Sequence, residues 1–367
     1  MTDYLTKNSE EVLSSLRSLY SRSGYSRYKM SKFEEYDLYA GNKDFLISDS
    51  VITFTDGSGK LLALKPDVTL SIVKNSKVEA GSVQKLYYNE NVYRIASGSR
   101  NYKEIMQVGL ECIGAIDDYC IYEVLKLALG SLGEISSESV LSVSHLGIIS
   151  EVIDSLGIPA DSKDDVFRCI GEKNLHELGS ILDGLGADAD KANVLAELVR
   201  LNGGTAQSLQ KIRALLDGIV SRKTLDEFSS VMAALADERS LRIDFSVVSD
   251  IRYYNGFVFK GYVREVPQSV LSGGQYDMLM KKMGRKSSAI GFAVYLDLID
   301  QYSRSGETYD VDTVLLYDGT STAAEIGDAA EKLRESGESV LADKCIPEGI
   351  KYKKLVRLKT GRVDESE

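Results

Sequence analysis

Proline is scarce in this chain, with four in 367 residues, and no low-complexity tract occurs. Domain boundaries therefore have to be read from changes of pattern. Histidine is scarcer still: His145 and His176 are the only two, which excludes a mechanism needing a histidine cluster. The four cysteines, Cys112, Cys120, Cys169 and Cys345, form no Cys-x-x-Cys pair. That spacing argues against a zinc site and a disulfide framework, and it fits a reducing cytoplasm. No bound metal or cofactor is expected. Apolar runs such as Ala289–Leu296 and Val314–Tyr317 fall far short of the ~18 residues of a membrane span. The polar start, MTDYLTKNSEE, has no apolar core of a secretory leader. A basic excess is also lacking, since 44 Lys and Arg face 55 Asp and Glu for a net charge of −11. Proteins that grip nucleic acid usually present a basic surface, so a dedicated RNA or DNA binder is disfavoured.

The remaining composition, 43% hydrophobic and 27% charged, is that of a globular protein of two or three domains. Residues 8–23 carry Val12, Leu13, Leu16, Leu19 and Tyr20 at helical spacing, with Gly24 as a stop. Val51–Thr55 and Leu61–Leu64 flank Asp56-Gly57-Ser58-Gly59 and read as a hairpin. Lys85–Arg94 and Glu104–Gly114 read as a long antiparallel pair, joined by a polar loop. A helix over Asp118–Leu132 and a strand over Ser139–His145 follow. The pattern then turns almost wholly helical from 147 to 240, a helical insert punctuated by glycines. Strand character returns at Leu241–Val247 and Gly256–Val263, before Ser272-Gly273-Gly274-Gln275-Tyr276-Asp277 and a helix. Residues 312–343 read strand, helix, strand, and Tyr352–Leu358 reads as one more strand. The expected class is α+β, divided into 1–146 with 241–304, the insert 147–240, and a short α/β segment 310–367.

Four segments carry the chemistry: ALKPDVTLSI (63–72), YYNENVYR to MQVGLECIG (87–114), DIRYYNGFVF (250–259), and SGGQYDMLMKKMG to SAIGFAVYLDLI (272–299). In this order and spacing they resemble the catalytic domain of class II aminoacyl-tRNA synthetases, and within it the histidyl family. Residues 53–69 look like that family's hairpin ending in Leu-Arg-Pro-Glu-x-Thr. Residues 92–94 look like the arginine-bearing strand of motif 2, and 107–114 like its return strand. DIRYYNGFVF falls where the family has Arg-Gly-Leu-Asp-Tyr-Tyr, and GGQYD resembles Gly-Gly-Arg-Tyr-Asp. The resemblance spans about residues 5–300 and implies an antiparallel sheet flanked by helices. It continues weakly into 312–358, which looks like a shortened anticodon-binding domain.

The departures from the family fall on the phosphate-handling groups. Ala96 stands where motif 2 has Glu, Leu298 where motif 3 has Arg, and Ser249 where the histidine signature has its first Arg; Arg252 replaces an Asp. Losing an arginine removes a fixed charge and up to five donors. One missing oxyanion-type donor costs about 10²–10³ in rate, so aminoacyl-adenylate chemistry is not expected.

The amino-acid pocket is better kept. Asp67 and Thr69 offer the acceptors that an α-ammonium needs. Gln107 and Glu111, four apart on a strand, share one face. The resemblance adds Arg94, Tyr253, Tyr254 and Tyr276 to this histidine pocket, with Arg94 on a carboxylate and tyrosine hydroxyls toward an imidazole. Blander readings exist for each. With 21 tyrosines, two in a core come cheaply. Asp67 after Pro66 suits a turn, Glu111 a rim charge, and Arg94 an ion pair with Glu90 or Glu104. His145 reads as a core residue and His176 as an exposed one.

A synthetase-like scaffold with a histidine pocket and no phosphate clamps resembles the regulatory subunits of short-form ATP phosphoribosyltransferase. That resemblance implies a chain without catalysis of its own. It would activate a separate catalytic subunit in histidine biosynthesis and confer feedback inhibition by histidine. A homodimer within a hetero-oligomer is implied by analogy alone, because Ser31 replaces the motif 1 proline. The alternatives are a histidine–tRNA ligase with a diverged site and a free-standing paralogue of it. The net charge and short tail speak against tRNA as a partner.

Overall fold

The computed structural model describes residues 8–42, 46, 51–95, 101–201, 203–248, 253–302, 309–359 and 362–366. It divides into two units, Met1–Ser303 and Arg304–Glu367.

In the first unit, α1 (Ser9–Arg22) opens with a capping box: Asn8 accepts from the Glu11 N–H while Glu11 accepts from the Asn8 N–H. Gly24 follows at φ 82, a left-handed conformation that glycine adopts without strain. Val12, Leu16 and Tyr20 recur at four-residue spacing and are fully buried. Tyr20 reaches α4 (Asp118–Ile135) through a 2.8 Å bond with Ser131 Oγ.

The main sheet has eight strands. Its order is β1 (Ser26–Arg27), β5 (Val83–Ile95), β6 (Tyr102–Gly114), β11 (Ser288–Tyr295), β10 (Leu271–Gln275), β9 (Phe257–Val263), β7 (Ser139–His145) and β8 (Leu241–Ile243). The antiparallel arrangement expected from the resemblance holds for the interior pairs. Both edges differ, β1 pairing parallel to β5 and β8 parallel to β7. Parallel neighbours need a long crossover, and the six helices α5 (Leu146–Ser155) to α10 (Arg222–Ala234) provide one between β7 and β8. These helices share a continuous apolar core with the sheet, through residues such as Ile149, Phe228 and Phe257. One expectation needs correction: the strand predicted over Leu241–Val247 stops at Ile243. Gly273-Gly274 lie inside strand β10.

The expected hairpin is β3 (Thr53–Thr55) with β4 (Leu61–Leu64), joined by β2 (Phe33–Glu35) in a small sheet. Asp56 Oδ1 accepts from the Ser58 and Lys60 N–H groups and fixes the turn. After β4 the chain enters α3 (Thr69–Asn75).

Alternation along β6 sorts the two faces of the main sheet. Val108, Leu110 and Cys112 join the core of α1 and α4. Gln107, Gly109 and Glu111 therefore face the other way. No helix among the described residues is long and apolar enough to cross a membrane.

The second unit is a four-stranded sheet, ordered β13 (Val340–Asp343), β12 (Val311–Tyr317), β14 (Tyr352–Lys359), β15 (Arg362–Ser366). It encloses Leu315, Val356 and Leu358 with Ala329 and Ala330 of α13 (Ala323–Glu335). The terminal strand β15 was not anticipated from the sequence.

Candidate functional site

The face of the main sheet opposite α1 and α4 carries a cavity of about 280 Å³. Strand register explains its position, because directly opposed residues share a face. One row across the sheet runs Glu111, Gly291, Gly274, Val258. The next runs Tyr88, Gly109, Ala293, Ser272, Lys260. A third pairs Gln107 with Tyr295. Gly109, Gly274, Gly291 and Ala293 leave the middle of these rows almost bare, so the floor is low and the larger side chains form walls. A Cβ on Gly291 would sit 1.8 Å from Glu111 Oε2, and one on Gly109 would sit 2.5 Å from the Tyr88 hydroxyl.

All eight residues singled out in the sequence, Asp67, Thr69, Arg94, Gln107, Glu111, Tyr253, Tyr254 and Tyr276, line this one cavity. Tyr88, Lys260, Ser269, Ser272 and Tyr295 line it as well and were missed. Period-2 spacing along their own strands could have put Lys260 and Ser272 on one face each. Only cross-strand register, which is non-local, brings them into the same cavity as Glu111.

Glu111 is the anchor. It is 2% exposed and accepts from Thr69 Oγ1 at 2.7 Å and from the Tyr276 hydroxyl at 2.6 Å. Burial pushes its carboxyl up to about 8, with a further push from the Asp67 charge, against the pull of the two hydroxyl bonds. Glu111 is thus a buried carboxylate on the cavity wall rather than a rim charge. Asp67 also rises with burial, partly offset by the Leu70 N–H, which donates to its Oδ1 at 2.9 Å, and by Arg94. It both starts the helix turn and lines the cavity.

Arg94 Nε donates to the Pro66 carbonyl at 3.0 Å. The partners considered for it are otherwise engaged: Glu90 pairs with the buried Lys65, and Glu104 accepts from Asn91 and the Tyr93 hydroxyl. Tyr253 packs its ring 4.6 Å from Tyr254 and 5.7 Å from Tyr276. Burial drives the Tyr253, Tyr276 and Tyr88 hydroxyls far above the usual phenol range, so all three remain neutral donors.

Leu298, where the resemblance expects an arginine, lies on α12 (Leu296–Tyr302) and packs against the apolar core. Ala96, Arg100, Ser249 and Arg252 lie outside the described residues. His145 is buried and caps α5, its Nδ1 accepting from the Ile148 N–H at 3.2 Å. His176 is exposed on α7 (Leu175–Gly184). Neither histidine reaches the cavity wall.

The arrangement offers two carboxylates, one arginine, one lysine, and several hydroxyls and a carboxamide over a glycine floor. That set suits a small polar molecule bearing both a cationic and an anionic group.

A histidyl-tRNA synthetase family model matches residues 3–299. The ATP phosphoribosyltransferase regulatory subunit of Clostridium kluyveri is 30% identical over 345 residues, covering 90% of this chain and 88% of its own. A solved ATP phosphoribosyltransferase regulatory subunit/histidyl-tRNA synthetase from Bacillus halodurans shares the fold at 23% identity. Its TM-score is 0.75, with 97% of this chain and 96% of that one covered. A chain of the ATP phosphoribosyltransferase complex from Thermotoga maritima shares it at 20% identity and TM-score 0.62, with 78% and 96% covered.

Proposed function

This chain belongs to the histidyl-tRNA synthetase family and, within it, to the ATP phosphoribosyltransferase regulatory subunits, and from that premise we propose that its cavity is a histidine sensor. The chain joins a short ATP phosphoribosyltransferase catalytic subunit, raises its activity, and lowers it again when histidine binds. It performs no ligase or transferase chemistry itself.

The observation that carries this reading is the buried Glu111, held by Thr69 and Tyr276 over a glycine floor and facing Asp67. Such a carboxylate is costly to ionise when the cavity is empty. A cationic group of the ligand makes ionisation favourable. The ligand's ammonium or imidazole nitrogen takes Glu111 and its hydroxyl partners, while Arg94 and Gln107 bond polar groups along the wall beside it. Leu298 in the apolar core supports sensing over catalysis, because it contributes no charge to a nucleotide phosphate.

Sensing needs different affinities in two states of the complex, since equal affinity shifts nothing. Coupling of this kind is typically about 1–3 kcal/mol. Co-purification of the chain with a short catalytic subunit, followed by phosphoribosyl transfer assays with and without histidine, tests the reading. Association, activation and histidine inhibition are expected. Histidine-dependent ATP–pyrophosphate exchange by the chain alone, at a rate normal for a synthetase, would overturn the non-catalytic part.

A further inference from the structure

Lys260 stands at the far side of the cavity from Glu111. It is half-buried on β9, directly opposite Ser272, and both side chains line the cavity. Three strand spacings separate β9 from β6, roughly 14 Å across the sheet. Both side chains rise from one face and can lean inward. The gap between their charged ends then matches a molecule a few bonds long with a cation at one end and an anion at the other.

Among the described residues no carboxylate pairs with Lys260. Asp67 takes the Leu70 N–H and the charge of Arg94, and Glu111 takes the Thr69 and Tyr276 hydroxyls. Burial alone acts on the Lys260 ammonium and pulls it below the usual lysine range, with no described anion opposing that pull. An ammonium partly taken out of water without a counter-charge is destabilising. The floor between it and Glu111, Gly291 with Ala293 and Ser272, is open to a ligand. Ser272, opposite Lys260 in register and bonded to the Tyr295 hydroxyl, and Ser269 add hydroxyls to the same lining.

We propose that Lys260, with Ser272 and Ser269, forms an oxyanion subsite that receives the carboxylate of the amino acid whose cationic end meets Glu111. The proposal rests on reading the cavity as an amino-acid site. It adds a specificity rule: ligands lacking the anionic end are rejected. A phosphate oxyanion carries the same chemistry, and the experiment separates the two sources.

The test is calorimetric titration of the full chain and of Lys260→Met and Lys260→Arg variants with histidine, histidinamide and inorganic pyrophosphate. A charge-assisted bond to a carboxylate predicts that Lys260→Met weakens histidine about tenfold or more. Histidinamide should be unaffected by the change, and Lys260→Arg should restore much of the histidine affinity. If pyrophosphate binds the wild type and Lys260→Met abolishes that while sparing histidine, the subsite stands with phosphate as its occupant. Removal of an unpaired charge also predicts a melting temperature for empty Lys260→Met equal to or above wild type, which guards against a folding artefact. Histidine binding that depends on Glu111 but is unchanged in Lys260→Met, with no pyrophosphate effect, would overturn the subsite and leave the sensor reading intact. Lys260-dependent pyrophosphate binding without histidine binding would do the reverse.

Discussion

The Tyr276 hydroxyl donates to Glu111 Oε2 at 2.6 Å, a fully buried bond between residues 165 apart in the chain. Thr69 donates to the other oxygen, so each carboxylate oxygen accepts one neutral hydroxyl and keeps a lone pair for a further donor. A ligand cation is what the site lacks to keep the charge at neutral pH. Glu111→Ala should therefore cost histidine about one to two decades in affinity, the worth of a hydrogen bond to a charged group. Calorimetry on wild type and variant measures it. An unchanged affinity would remove Glu111 from the ligand contacts.

Proton release gives an independent check on the same group. In the empty cavity Glu111 titrates at about 8, so at pH 7 it is mostly protonated. A cation beside it lowers that value. Histidine binding at pH 7 should then release a proton, and affinity should rise between pH 7 and pH 8. Titrations in buffers of different ionisation enthalpy count the proton. Glu111→Gln should release none from this position.

Stability of the empty chain should carry the matching signature. The folded carboxyl titrates at about 8 against 4.5 unfolded, so the folded state holds the extra proton across that window. Glu111 thus contributes a stability that falls as pH rises from about 4.5 through 8. Glu111→Gln mimics the protonated form, and its melting temperature should decline less between pH 6 and pH 9 than that of wild type.

His145 predicts the opposite slope. Burial lowers its imidazole from 6.5 to about 4. The unfolded chain takes up the proton first, so stability is lost as pH falls from 6.5 towards 4, by up to about 3 kcal/mol. Asn is another acceptor suited to capping α5. His145→Asn should be less stable overall, losing ring contacts to Phe257 and Phe228, yet flatter across this acid range in thermal melts.

Gly291→Ala tests the cavity floor. Its Cβ would meet Glu111 Oε2 at 1.8 Å and the Leu110 carbonyl at 2.4 Å. Overpacking of this kind costs about 1–3 kcal/mol. The variant should melt lower and bind histidine poorly, which unfolding curves and calorimetry together would record.

What the sequence made legible was local. The four-residue spacing of Gln107 and Glu111 put them on one face, and the structure has both lining one cavity. Asp67 and Thr69 lie within one turn, and the β5–β6 hairpin follows from two long alternating runs. Sequence could not place Lys260 opposite Ser272, or Gly291 under Glu111, because those relations arise from pairing strands far apart in the chain. The role of Gly273-Gly274 is non-local as well. Glycine pairs usually mark turns, but here bare backbone lets other groups approach: a Cβ on Gly273 would meet the Gly291 carbonyl at 2.4 Å and one on Gly274 the Tyr254 ring at 2.7 Å. Arg94 lines the cavity, and the blander alternative of an ion pair with Glu90 is displaced because buried Lys65 takes that carboxylate.

The most direct measurement is histidine inhibition of a complex reconstituted from a short catalytic subunit and either wild-type chain or Glu111→Ala. Both chains should bind and activate the catalytic subunit to similar extents, because Glu111 is only 2% exposed and offers a partner almost no surface. Histidine should inhibit the wild-type complex, and the variant complex should need about ten- to a hundredfold more. Equal inhibition of the two complexes, or failure of the wild-type chain to associate at micromolar concentration, would contradict it.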